Sequence, residues 1–179
     1  MATNSTVEEL QQLPEESLSF LQRIRLPQYK KMKEDFLSTL TKDQIANLKY
    51  DYRLNARPKQ LPKDGDWIFW LVYAGRGFGK TYLAAGWIKE QEALATKEGK
   101  KLRIGIFGRT ASDTADVMVG AILEMYPQSE RPIYIANKKT LTWKSGTIGY
   151  VIQGGETPDA LKGKNLTTVW VDELASFKY

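Results

Sequence analysis

The amino-acid sequence predicts an α/β fold, a mainly parallel sheet with one antiparallel hairpin, preceded by a helical extension. Three features carry that expectation. The apolar run Trp67–Tyr73, the glycine loop Ala74-Gly75-Arg76-Gly77-Phe78-Gly79-Lys80-Thr81 and the helix-like run Tyr82–Glu90 give a buried strand, a loop and a helix in immediate succession. Apolar runs at Leu102–Gly108 and Leu166–Val171 flank a helical stretch at Ser112–Tyr126, the alternation that builds parallel sheets. The Pro/Gly-containing connector Arg57–Gly65 divides this region, residues 57–179, from an N-terminal helical and basic extension, residues 1–56.

Within the extension, Leu10, Leu13, Leu18 and Leu21 recur at helical spacing, with Pro14 as a break. Pro27 opens a second helix towards Leu40, whose apolar side carries Tyr29, Met32, Phe36, Leu37 and Leu40. Thr41-Lys42-Asp43-Gln44 has the form of a capping box for a third helix running to Tyr50. Beyond the loop helix, the polar turn Thr96–Lys101 leads into the strand Leu102–Gly108. In Ser112–Tyr126, residues Val117, Met118, Ala121, Ile122 and Met125 are expected to face inward, and Pro127 follows the end. Thr140–Trp143 and Ile148–Ile152 read as strands joined through Lys144-Ser145-Gly146-Thr147. Gly154–Asn165 is expected as a loop or short helix before the last strand. The five tryptophans, Trp67, Trp70, Trp87, Trp143 and Trp170, are expected to fill the core. Gly105 and Gly108 are expected to permit close packing.

The glycine loop fits the phosphate-binding pattern G-x-x-x-x-G-K-[ST], with Ala74 in place of the first glycine. Its backbone N–H groups and the start of the following helix are suited to surround a phosphate. Lys80 then reaches the β- and γ-phosphates, and the Thr81 hydroxyl ligates Mg²⁺. The last strand runs into Asp172-Glu173. At such a strand end the Asp fixes the Mg²⁺ and the Glu polarises the water that attacks the γ-phosphate. A strand ending in Asp-Glu is common by itself; paired with the loop it predicts ATP and Mg²⁺ as bound groups and triphosphate hydrolysis as the chemistry.

Composition narrows the chemistry further. The chain has no Cys and no His, which excludes disulfides, thiolate metal sites, histidine-ligated metals and histidine bases. Carboxylates, Lys, Arg and a hard metal ion remain. No apolar run nears the roughly 20 residues that span a bilayer, and the first six residues have neither the basic nor the apolar segment of a secretory signal. A protein that is not secreted and has no membrane partner is expected. The net charge of +5 is unevenly placed: from Arg23 to Lys63 eleven bases face four acids, a local +7. That stretch fits a nucleic-acid partner, and equally a solvated helical surface that carries lysines.

Trp67-x-x-Trp70, followed by a phosphate loop with Arg76 inside it, resembles the large terminase, the motor subunit of tailed-phage DNA packaging. The resemblance continues in Gly108-Arg109-Thr110-Ala111-Ser112-Asp113 with Asp116–Val119, and in Leu141-Thr142-Trp143-x-x-Gly146. It ends with Glu156–Gly163 leading into Val169–Ala175, and it covers Arg57 to Ser176. It implies a RecA-like ATPase domain forming a homo-oligomeric ring on the portal protein of a procapsid. Such a ring works with the small terminase subunit and drives double-stranded DNA inward, in the cytoplasm of the bacterial host. The resemblance also implies that Arg57 and Gln60 contact the adenine or close over the nucleotide.

The chain departs from the family pattern in two places. Many terminases read Leu-Arg-Gly before the Asp-Glu strand, the Arg serving as a finger on a neighbouring subunit's nucleotide; here the sequence is Leu161-Lys162-Gly163. Lys162 acts in trans as a point charge without the planar fork, or Arg109 or Arg131 takes the role, or the finger lies outside this chain; a solvated loop lysine is the plain alternative. Second, the sequence reaches Tyr179 six residues after Glu173, without the further strands and the metal-dependent nuclease domain that family members carry. The expectation is an incomplete domain, the N-terminal part of a terminase. Such a part would have an unpaired strand edge near Trp67–Tyr73 and a complementing C-terminal or nuclease chain as partner. Two other functions stand beside the motor: another DNA-dependent ATPase such as a helicase, and a non-catalytic module that binds nucleotide, portal or a motor subunit.

Overall fold

The chain divides between Leu83 and Ala84 into two units, Met1–Leu83 and Ala84–Tyr179; the computed structural model describes residues 5–153 and 162–176. The first unit is built from short helices: α1 (Val7–Gln11), α2 (Phe20–Arg23), α3 (Lys30–Ser38), α4 (Lys42–Asn47) and α5 (Tyr52–Asn55). Helices of this length are marginal in water and need help at their ends. Thr6 with Glu9, Ser19 with Gln22 and Thr41 with Gln44 supply it as reciprocal capping boxes. Pro14 precedes a 3₁₀ turn that separates α1 from α2, and Pro27 opens a second such turn that feeds α3. Leu10, Leu18 and Leu26 bury their side chains in one cluster with Tyr29 packed against it, and Phe20 meets Phe36 edge to face at 5.0 Å.

One expectation fails in this unit. Trp67–Tyr73 is not a strand, and its residues join no sheet among the described residues. Phe69 is 89% and Tyr73 99% exposed. Apolar, strand-forming sequence is only half of a strand; the backbone must also find a partner ladder. Trp67 and Trp70 therefore do not fill a core. Their rings contact each other at 5.8 Å, and the Trp67 indole donates to the Lys63 carbonyl at 2.9 Å.

The boundary between the units falls inside α6 (Lys80–Lys97), the helix expected after the glycine loop, which runs well past Glu90. The second unit holds a five-stranded mixed sheet in the order β2-β3-β4-β1-β5, from β1 (Arg103–Gly108), β2 (Ile133–Ile135), β3 (Thr140–Thr142), β4 (Ile148–Gln153) and β5 (Thr168–Val171). The central strand β1 pairs in parallel with β4 on one side and β5 on the other. The expected hairpin is present as antiparallel β3 and β4; its turn has Gly146 in the left-handed region and a Gly146 N–H bond to the Trp143 carbonyl at 3.0 Å. Because β1 is covered on both faces, its apolar residues run consecutively rather than alternating, and Ile104 and Ile106 are fully buried.

Ser112–Tyr126 folds as a π-helical segment (Asp113–Val119) continued by α7 (Gly120–Glu124). Met118, Ile122 and Met125 are buried as expected, whereas Val117 is half exposed, because the wider π turn shifts the inward face off the 3.6-residue period. A Cβ at Gly108 would collide with the Thr114 hydroxyl, so this glycine lets the helical segment lie against the end of β1. Trp143 and Trp170 are core residues; the Trp143 indole donates to the Tyr126 hydroxyl at 3.0 Å. Burial raises the Tyr126 phenol above its ordinary pKa. Gly154–Leu161, and with it most of the expected loop before β5, lies outside the described residues.

Candidate functional site

In the first unit the glycine loop leads straight into α6. Gly77 and Gly79 both adopt positive φ, at 79° and 86°, conformations that only glycine takes without strain. Lys80 begins the helix and Thr81 follows it. The Lys80 ammonium folds back over the loop and donates to the carbonyls of Ala74 at 2.9 Å and Gly75 at 3.2 Å. Arg76 is exposed at the tip, and the Phe78 N–H closes a turn onto the Gly75 carbonyl at 3.4 Å.

The connector residues Arg57 and Gln60 converge on the same loop. A 3₁₀ turn over Pro58–Gln60 brings the buried Gln60 amide beneath Phe78. Its Nε2 donates to the Phe78 carbonyl at 2.8 Å, and Arg57 Nη2 donates to that oxygen at 2.5 Å. The Arg57 guanidinium also lies over the Phe78 ring, 5.3 Å from its centre. Tyr52, a residue with no sequence signal for this role, donates its hydroxyl to the Gln60 carbonyl, and its ring packs against Tyr82 at 5.8 Å. Burial, with the Asp51 carboxylate adding to it, pushes Tyr82 up to about 12.

In the second unit Asp172 and Glu173 terminate β5. The Asp172 N–H bonds the Phe107 carbonyl at 2.9 Å, extending the β1–β5 ladder by one residue. Asp172 is half buried and its Oδ1 accepts the Glu173 N–H at 3.0 Å. Glu173 adopts φ 51°, unusual for a residue with a side chain. Its carboxylate lies 3.8 Å from Arg109 Nε, and Arg109 also faces Asp113 at 3.4 Å. Arg131 is engaged with the Tyr126 carbonyl at 3.3 Å, and Lys162 is exposed in a turn before β5. No group of three or more acidic residues converges as a metal cluster among the described residues, and no helix there is long and apolar enough to cross a membrane.

No curated protein and no solved structure matches the chain. Residues 71–179 match the family model described as terminase large subunit, T4likevirus-type, N-terminal. The match takes in the glycine loop, the sheet and the Asp172-Glu173 strand end, and it covers more than half of the sequence. The chain belongs to the terminase large subunit family, as its N-terminal region, a family whose role lies in phage DNA packaging.

Proposed function

We propose that the chain binds ATP with Mg²⁺ at Ala74–Thr81 and, as part of a RecA-like motor, uses ATP hydrolysis to move double-stranded DNA into a procapsid. The observation that carries this reading is the disposition of Lys80. It opens a long helix directly after two left-handed glycines, and its ammonium lies on the loop's own carbonyls. An ammonium held by neutral carbonyls gains by exchanging one of them for an anionic phosphate oxygen, because the attraction of opposite charges is then added to the hydrogen bond. Thr81 and Asp172 each offer a hard oxygen donor, and a chain without His or Cys lacks the imidazole and thiolate ligands that favour softer ions, which fits Mg²⁺. Such an ion would neutralise charge on the phosphates. Glu173 would orient the attacking water, with Arg109 as its neighbouring cation. Lys162 is the reading for a charge supplied in trans.

Membership of the terminase family supports the DNA-packaging context. The partners proposed with it are double-stranded DNA, the portal, the small terminase subunit, further copies in a ring and a complementing nuclease chain, in the host cytoplasm. Lys80→Ala should abolish triphosphate binding, measured with a fluorescent nucleotide. Glu173→Ala should bind normally and lose DNA-stimulated phosphate release; turnover at the wild-type rate would remove Glu173 from its role. The exposed Trp67–Tyr73 run favours a second reading, a partner-binding module without turnover. Partner binding with no DNA-stimulated hydrolysis by the wild-type chain would favour that reading.

A further inference from the structure

We propose that Gln60 and Arg57 are positioning residues that set the phosphate loop through the Phe78 carbonyl. Gln60 is a buried polar residue whose amide is committed on both sides. Its Oε1 accepts the Arg57 backbone N–H at 3.0 Å and Arg57 Nε at 3.3 Å, while its Nε2 donates to Phe78. Arg57 adds a second donor to that one carbonyl.

Phe78 is where such a constraint has most effect, since it lies between the two left-handed glycines, the freest joints of the loop. The C=O and N–H of a planar trans peptide point in opposite directions. Anchoring the Phe78 carbonyl on Gln60 and Arg57 therefore turns the Gly79 N–H to the other side of the loop. A Cβ at Gly79 would stand 2.6 Å from Gln60 Nε2, so a side chain at that position and the anchor are mutually exclusive. The Tyr52 hydroxyl ties the Gln60 backbone to α5, which links the loop's shape to the helical extension.

The functional consequence rests on the triphosphate-binding reading, and the test separates the two. Gln60→Glu keeps the size and the acceptor for Arg57 but removes the donor to Phe78. Without nucleotide, losing the anchor should loosen the turn that the Phe78 N–H closes onto the Gly75 carbonyl, so exchange of that amide hydrogen should become about tenfold faster, the scale of one net hydrogen bond. Titrations with Mg-ATP and with Mg-tripolyphosphate, which has phosphates and no base, should weaken by the same factor, again about tenfold. Unchanged Phe78 exchange overturns the proposal. So does a loss confined to ATP, which would make Gln60 a base reader. A wild-type chain that binds neither probe counts against triphosphate binding, while the exchange measurement still decides whether Gln60 sets the loop. Should Gln60→Glu fail to fold, Arg57→Lys removes the fork, keeps the charge and gives the same readouts at smaller amplitude.

Discussion

Glu173 pairs the side chain proposed to orient the attacking water with an unfavourable backbone, and the two can be measured apart. Its φ of 51° is left-handed, which costs about 1–2 kcal/mol for a residue with a Cβ. Comparing Glu173→Gly with Glu173→Ala isolates that strain, because both variants lose the same carboxylate and the same contact with Arg109. That contact is exposed and is worth at most about 1 kcal/mol in either case. Against the relief stands glycine's greater freedom in the unfolded chain, about 0.4–1 kcal/mol. The balance leaves the glycine variant more stable than the alanine variant by about 0.8 kcal/mol at the midpoints, within a span of about 0–1.6 kcal/mol. Urea unfolding followed by tryptophan fluorescence measures the difference, provided the denaturant slopes agree. A glycine variant less stable than the alanine variant would refute the left-handed backbone. Under the functional reading both variants also lose hydrolysis, so Glu173→Gly would be inactive yet free of the backbone strain that the native Glu and Glu173→Ala both carry.

Two further outcomes follow from buried tyrosines. Tyr126→Phe removes the acceptor for the Trp143 indole in a buried site; leaving that donor unpaired should cost about 1–3 kcal/mol, read as a lower urea midpoint. Tyr82 has a folded-state pKa pushed up to about 12 from its ordinary 10.0. The folded chain then holds a proton that the unfolded chain releases first, so this contribution is intact below pH 10 and is lost as pH rises towards 12. Tyr82→Phe should flatten that alkaline decline while leaving stability at neutral pH nearly unchanged, measured by unfolding midpoints across the range.

What could be read from the sequence divides along physical lines. Periodicity, caps and turn residues act locally, so α6, β1, the β3–β4 hairpin and the capping box at Thr41 all appear where the residues announce them. Strand β2 was not anticipated: Ile133–Ile135 is three residues long and follows Arg131-Pro132, too short for a period of two to register. Trp67–Tyr73 failed for the opposite reason, a strong local pattern without a paired backbone. At the candidate site, the loop's glycine turns and its run into α6 were legible because the glycines and Lys80 are adjacent in sequence. The anchoring of Phe78 was not, because Gln60 and Arg57 reach it across 18 and 21 residues, and no spacing rule records such a contact.

The run Ile68-Phe69-Trp70-Leu71-Val72-Tyr73 has a consequence for how the protein behaves at high concentration. Six consecutive residues of high β-propensity, without charge, Pro or Gly, make up the kind of segment that stacks against copies of itself in cross-β assemblies. With Ile68, Phe69, Leu71 and Tyr73 open to solvent, this stretch is the first place where self-association would nucleate. A gatekeeping lysine at position 69 or 71 would interrupt the zipper and leave the loop's anchor, the capped helices and the sheet untouched.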